Sequence, residues 1–311
     1  MIFDRILIPI APEQELNESL HQALHLSNKC SSQVTLLSVI KALDEFKEIH
    51  HISGSALDIL DEATQHYHNV LKAHIHELGK QYPNIKFATQ IRIGIPFIEI
   101  IKEAKETNSS LIMIDSYRNT KKQACQRGSN TLNLMRKSEI PIWSVSKKPK
   151  VISNVVAAVD LTNQDYQDFN SKLISLAVEF CKTVDASLTC CHVWKLECED
   201  FLKNWSGYSD IDIALLSQKL RNERMERLNS LLLPYVNNAV PIQVKLLEGE
   251  PRDVLPKYVS SNEIDLVILG SMSRAGISGF VMGNTAESMI NQLGCSVITL
   301  KPDSFKSPVS Q

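Results

Sequence analysis

The run Gly270-Ser271-Met272-Ser273-Arg274-Ala275-Gly276-Ile277-Ser278-Gly279-Phe280-Val281-Met282-Gly283-Asn284-Thr285-Ala286-Glu287 gathers the residues best suited to hold an anion. Glycine lets a backbone approach a ligand closely, and free N–H groups at a helix start favour negative charge. Ser271, Ser273, Asn284 and Thr285 add hydroxyl and amide donors that suit phosphate oxygens. The same segment also suits a ligand-free helix end, because Asn284 with Glu287 three positions on makes a capping box. Asp160 closes the run Ala157-Ala158-Val159-Asp160. A carboxylate there suits a ribose hydroxyl or an adenine amine, and equally a plain turn into Leu161-Thr162-Asn163.

These residues belong to a chain that repeats itself. Arg92-Ile93-Gly94-Ile95-Pro96 matches Leu247-Glu248-Gly249-Glu250-Pro251 at an offset of 155 residues. The same offset sets Leu111-Ile112-Met113-Ile114-Asp115 on Leu266-Val267-Ile268-Leu269-Gly270, and Gly128 on Gly283. Ile6-Leu7-Ile8-Pro9-Ile10 matches Val155-Val156-Ala157-Ala158-Val159 at 149, and Thr35 matches Thr189 at 154. Self-similarity along the chain marks two copies of one fold. Lys147-Lys148-Pro149-Lys150 between them is a charged, Pro-containing linker.

In the second copy the pattern predicts strands near 154–160, 186–194, 242–248, 264–270 and 295–300, with helices near 165–183, 210–232, 251–261 and 284–293. Runs that are apolar at every position indicate strands buried on both faces, hence a parallel sheet covered by helices. The expected fold is α/β: two tandem Rossmann-like doubly wound domains, each a five-stranded mainly parallel sheet, with ligands at the carboxyl ends of the strands. The expected boundaries are 1–147 and 151–303, with a flexible tail over 304–311.

Composition agrees with two ordinary cores: 311 residues, 43% hydrophobic and 22% charged. Thirty-three Lys and Arg against 35 Asp and Glu give a net charge of −2, with no basic stripe to attract nucleic acid or an anionic membrane. No apolar run reaches the roughly 18–20 residues that span a bilayer. Met1-Ile2-Phe3-Asp4-Arg5 lacks the basic region and cleavage site of a secretory signal, so a cytoplasmic location is expected. Seven Cys without a CxxC pair read as reduced core thiols.

The strand ending at Asp160, the Gly-Xaa-Pro helix start at Gly249 and the loop leaving Leu269-Gly270 resemble the universal stress protein family. Its nucleotide-binding members carry Gly, two residues, Gly, nine residues, Gly, then Ser or Thr. Here those positions are Gly270, Ser273, Gly283 and Asn284, followed by Thr285, with both spacings kept. The run Gly283-Asn284-Thr285-Ala286-Glu287 is similar to the tandem two-domain (UspE-like) subclass. The resemblance implies a stress-response protein that holds ATP or ADP in its second domain, with any Mg²⁺ arriving with the nucleotide. It implies that Ala158 and Asp160 face the adenosine, that Val193 offers backbone hydrogen bonds to adenine, and that Gly270, Ser273, Gly283, Asn284 and Thr285 line the phosphates. An intrachain pseudo-dimer that covers the apolar strands at 140–145 and 295–300 is implied as well. A homodimer of such chains and a protein partner of unspecified identity are compatible with it. The alternative is a nucleotide-free interaction module or binder of a small apolar ligand.

The first copy departs from this pattern. Ala11 stands where the second has Asp160, and Asp115 where it has Gly270, so this half is expected not to bind ATP in the family's way. Arg118, Lys121, Lys122 and Arg127 follow as an expected solvated loop. His66, His68, His74 and His76 share a predicted helix, but their spacing does not suit one metal, and no metal site is expected. His51-Ile52-Ser53-Gly54 reads as a loop without a role, and His192 beside Cys191 points to the opposite strand face. Met272, Met282 and Met289 read as packing, and Trp194, Trp205 and Tyr208 as a lid or pocket cap. No catalytic residue is expected, because no placed base orients an attacking water.

Overall fold

Strands and helices alternate from end to end in the computed structural model, which describes residues 3–11, 17–41, 56–115, 127–146, 151–205, 207–271 and 282–310. The first half contains β1 (Arg5–Pro9), α1 (Glu18–Cys30), β2 (Gln33–Lys41), α2 (Ala56–Gln81), β3 (Lys86–Gly94), α3 (Pro96–Glu106), β4 (Leu111–Asp115), α4 (Ser129–Lys137) and β5 (Ile142–Val145). The second contains β6 (Asn154–Ala158), α5 (Gln167–Val184), β7 (Ser187–Trp194), α6 (Glu199–Trp205), α7 (Asp210–Leu232), β8 (Ile242–Glu248), α8 (Pro251–Ser261), β9 (Leu266–Gly270), α9 (Asn284–Gln292) and β10 (Ser296–Leu300). The linker at 147–150 and the His51–Gly54 loop lie outside the described residues.

All ten strands form one sheet in the order β3-β2-β1-β4-β5-β10-β9-β6-β7-β8. Neighbours within each half are parallel, and the halves meet where β5 and β10 pair antiparallel. Trp143 faces Ile298 at the centre of that pairing. These two residues are themselves related by the 155-residue repeat, so a pseudo-twofold axis passes between them. The fifth strands therefore cover one another, as the repeat implies.

Because alternate residues of a buried strand face opposite layers, each layer has its own core, and each core runs through both halves. One collects Phe3, Ile6, Trp143, Phe180, Leu188 and Ile298, and the other Leu7, Ile112, Ile142, Val156, Val267 and Val297. The repeat extends to backbone conformation. Gly94 and Gly249 end equivalent strands with φ of 155° and 129°. A Cβ at either would also strike the following helix, at Glu99 Cγ (2.9 Å) or Val254 Cγ2 (2.7 Å). Both requirements favour glycine.

Two expectations are corrected. Arg127 is not part of a solvated loop: it is 4% exposed and inserted between the halves. Its Nε donates to Ser144 Oγ at 2.9 Å and Nη2 to Cys295 O at 3.0 Å, while Nη1 donates to Ile290 O. The other three cations of that loop lie outside the described residues. The segment from 304 onward is not a free tail either. Phe305 and Ser307 are buried, and the Ser307 N–H donates to Glu139 Oε1 at 2.6 Å.

Lys301 joins that C-terminal segment to the end of β9. It is buried, its Nζ donates to Ser271 O at 3.2 Å, and it lies 4.8 Å over the Phe305 ring. Burial pulls its pKa down to about 8, against about 10.4 for an unfolded lysine. Below pH 8 both states are protonated and the folded state carries the full burial penalty. Between those pKa values the unfolded chain binds the extra proton, so stability rises with pH. Relative to Lys301→Met, the wild type is expected to gain about 2 kcal/mol between pH 7 and about 9.5, measured by urea denaturation.

Candidate functional site

Strand order reverses at β6, which has β9 on one side and β7 on the other. Loops leaving such adjacent strands diverge to opposite faces and open a crevice at their carboxyl ends. Ala158, the half-buried last residue of β6, is level with Leu269. Asp160 and Gly270 therefore stand on the two sides of this crevice.

Asp160 is held rather than loose. Its Oδ1 accepts from Thr162 N (3.0 Å) and Thr162 Oγ1 (2.6 Å), which makes the turn that the residue types allow. Its main chain is clamped by Asn170 on α5, whose Nδ2 donates to Asp160 O at 2.7 Å and whose Oδ1 accepts from Asp160 N at 3.2 Å. Arg224 and Arg227 on α7 both donate to Leu161 O, at 2.6 and 3.1 Å. Burial and the neighbouring Arg227 lower the Arg224 pKa, an effect that Glu223 and the Asp160 charge oppose. Asn170, Arg224 and Arg227 were not singled out from sequence. The only trace of the arginines is their three-residue spacing, which puts both on one helix face.

Val193 lies on β7 beyond the reach of β6. Cys191 O accepts from Val159 N at 2.9 Å. N–H and C=O directions alternate along a strand, so Val193, two residues on, turns its own backbone groups to the same edge after β6 has ended. That edge can exchange hydrogen bonds with a planar heterocycle. Cys191 and His192 face opposite layers: Cys191 joins the second core, while His192 Nδ1 lies 3.0 Å from Val159 O in the first. Burial pushes the thiols of Cys181, Cys190, Cys191 and Cys295 up to about 12, so they remain protonated at neutral pH.

Across the crevice, the need for glycine at 270 has a local cause. An added Cβ would lie 2.6 Å from Cε1 of Phe169, whose ring from α5 covers this α-carbon. Ser273 lies outside the described residues. The capping box is not formed: the N-cap of α9 is Gly283, which has no side chain to offer, and Asn284 is the first helical residue. Asn284 is exposed and Thr285 half-buried. Glu287 instead pairs with Arg136 of α4, accepting from Nε at 3.2 Å and from Nη2. The start of α9 thus has no side-chain cap among the described residues, an arrangement that suits an anion.

At the equivalent place in the first half the described residues close on one another. Asn17, the N-cap of α1, donates through Nδ2 to the Asp115 carboxylate. Together with Ile8, Leu20 and Met113 they leave a cavity of about 10 Å³, room for no more than about one water. Ala11 is exposed and brings no carboxylate. A separate cleft of about 590 Å³ opens beyond β7 and β8, walled by Trp194 and Ile213 and rimmed by Glu199, Asp210, Arg221 and Glu248. Helix α6, absent from the predicted elements, forms one side of it. Tyr208 is 46% exposed and does not pack as a lid, whereas Trp194 is buried; the Trp205 side chain lies outside the described set. Met282 is fully buried and Met289 packs on the second core, while Met272 is not described. Among the described residues no group of three His, Cys, Asp or Glu could hold a metal, and no helix is long and apolar enough to cross a membrane.

The profile of the universal stress protein family matches the chain twice, over residues 2–146 and 153–301. The chain belongs to that family of stress-response proteins, in its tandem two-domain form. It is 25% identical to universal stress protein E of Escherichia coli K12 over 319 aligned positions, covering 99% of this chain and 97% of the relative. A homologue of that protein from Haemophilus influenzae is 24% identical, with 97% and 98% covered. Among solved structures, a Pseudomonas aeruginosa UCBPP-PA14 protein assigned to the same family superposes with a TM-score of 0.72 at 20% identity, covering 97% of this chain and 94% of that one. The fold is shared throughout both halves.

Proposed function

We propose that this chain binds one adenine nucleotide, ATP or ADP, at the switch point of its second half and works as a nucleotide-dependent regulator or interaction module of the cytoplasm, not as an enzyme. The observation that carries this reading is the contrast between two copies of one crevice. The second presents Asp160 and the Val193 edge, whereas the equivalent place in the first holds the Asn17–Asp115 contact; the helix that follows starts at an uncapped glycine in both halves. Asp160 and Ala158 would face the adenosine and Val193 the adenine edge. Gly270, Ser273, Gly283, Asn284 and Thr285 would line the phosphates, and any Mg²⁺ would come with the nucleotide. This reading is binding without turnover and assigns no residue as a base for an attacking water.

The test is the nucleotide content of protein purified without added ATP, by chromatography and mass analysis of the acid-released ligand. The expected result is about one nucleotide per chain, following from the one switch point that carries the Asp160 carboxylate, and an emptied Asp160→Ala variant. Two per chain would overturn the reading of the first half. A second reading, a nucleotide-free interaction module, is favoured by Phe201, Ile211 and Leu215, which stand 60%, 73% and 56% exposed on α6 and α7. It prevails if the wild type is empty, ignores millimolar ATP in calorimetry, and gains binding only as Ser273→Gly.

A further inference from the structure

We infer that the first half, although closed to nucleotide, is the positioning unit for the phosphate end of the second half's site, acting through the last turn of α4 and through Arg127. This inference rests on the nucleotide reading above. Two consecutive residues of α4 hold the two places where the glycine-rich segment leaves β9 and enters α9. The fully buried Ser271 Oγ, one residue beyond Gly270, shares its proton between Met135 O at 3.3 Å and Leu300 O at 3.4 Å. Arg136 takes Glu287, in the first turn of α9, through both carboxylate oxygens. The far end of the same helix is held by Arg127, which donates to Ile290 O, Leu293 O and Cys295 O. A nine-residue helix is only about 13 Å long, so holding both ends sets the position of Asn284 and Thr285.

Among the described residues the cationic part of this grip runs one way. The 155-residue repeat puts Met282 where Arg127 stands, Asn291 where Arg136 stands and Leu132 where Glu287 stands. A contact that served only to join two similar halves would have used its cations on both sides of the pseudo-twofold axis. Here the cations lie in the first half, and the helix they hold belongs to the switch point of the second. Arg127 also sits at a helix C-terminus, where a cation complements the helix dipole and the last carbonyls. Arg127 and Arg136 are therefore positioning residues that act through α9 rather than by touching a nucleotide.

The experiment uses the full chain and compares wild type, Arg136→Gln, Arg136→Lys and Arg127→Lys. Affinity for MgATP is read by calorimetry, amide exchange along α9 by mass spectrometry without nucleotide, and global stability by urea. Arg136→Gln is expected to bind about tenfold more weakly, which corresponds to about 1.4 kcal/mol. Exchange should be faster in residues 284–290 and the urea midpoint nearly unchanged, since the ion pair is partly exposed. Arg136→Lys should recover part of the affinity, and Arg127→Lys should speed exchange at the far end of α9. Wild-type affinity and exchange in Arg136→Gln would overturn the inference while leaving the nucleotide reading intact. A wild type that fails to bind MgATP would remove the nucleotide reading itself, and the exchange data would then decide separately whether α4 holds α9.

Discussion

Trp143→Ala is expected to destabilise the protein by about 3–5 kcal/mol and to unfold both halves in one transition at lower urea. The indole is fully buried on β5, level with Ile298 across the only antiparallel pairing among the described strands. It meets Phe180 edge-on, with centroids 5.5 Å apart and planes at 88°, and Phe180 meets Phe3 in the same manner at 5.9 Å. Trp143 and Phe3 belong to the first half and Phe180 to the second, so the chain of rings crosses the pseudo-twofold axis. Removing Trp143, the ring at one end of this chain, leaves a cavity in a core common to both halves and forfeits one edge-to-face contact, worth roughly 0.5–1.5 kcal/mol. The indole N–H, in contrast, has no hydrogen-bond partner among the described residues. Trp143→Phe should therefore cost far less, about 1.5 kcal/mol or under, because it keeps most of the ring and removes a buried donor that gains nothing. Circular dichroism and the fluorescence of the remaining Trp194 and Trp205 should report coincident transitions for Trp143→Ala. Separate transitions would show that the two halves fold independently despite their common sheet.

Most of the architecture was legible in sequence because it rests on local pattern repeated twice. Strands expected at 242–248 and 295–300 are found at Ile242–Glu248 and Ser296–Leu300, and helices expected at 210–232 and 251–261 match in full. Errors fall where side chains from elsewhere take over the backbone. β6 was expected to reach Asp160 but its pairing ends at Ala158, because Asn170 clamps the main chain of Asp160 and its carboxylate turns back to Thr162. At the other end of the ladder, β9 starts at Leu266 rather than 264. Asp265 uses its carboxylate to accept from Ser153 N and Asn154 N, each at 2.9 Å.

The described residues of the candidate site fall on one crevice, whereas their partners were not legible. Asp160, Val193, Gly270 and Thr285 come from four elements whose adjacency follows from the strand order that a doubly wound sheet imposes. The capping box failed on a single residue of register: Gly283, not Asn284, is the N-cap, and Glu287 is drawn to Arg136 151 residues away. No local window contains that competitor. The C-terminal stretch 304–311 likewise reads as a tail until Phe305 meets Lys301 and Ser307 meets Glu139.

Arg127 shows most sharply why long-range partners escape a local reading, and its removal is expected to be costly. It follows a run of polar and basic residues that reads as solvated, yet its acceptors Ile290 O, Leu293 O and Cys295 O lie 163 to 168 residues further along. The pseudo-twofold axis brings them together by setting the start of α4 against the end of α9. A guanidinium carries five donors in a planar fork and can serve several carbonyls at once. In Arg127→Ala those last-turn carbonyls and Ser144 Oγ would lose their donor inside a buried site, at about 1–3 kcal/mol for each group left unsatisfied. Water entering the vacated volume would recover part of this, so the net expectation is a loss of about 3 kcal/mol. Arg127→Lys keeps the charge at the helix end but presents one ammonium in place of the fork, and should lose about half as much. Arg127→Met reproduces the residue at the equivalent position 282. It refills volume without supplying a donor, so it should fall between the other two. Urea denaturation of the three variants therefore tests what the arginine contributes. The order alanine, methionine, lysine from least to most stable identifies hydrogen bonding to the α9 carbonyls as the main contribution, whereas methionine equal to wild type would assign it to packing alone.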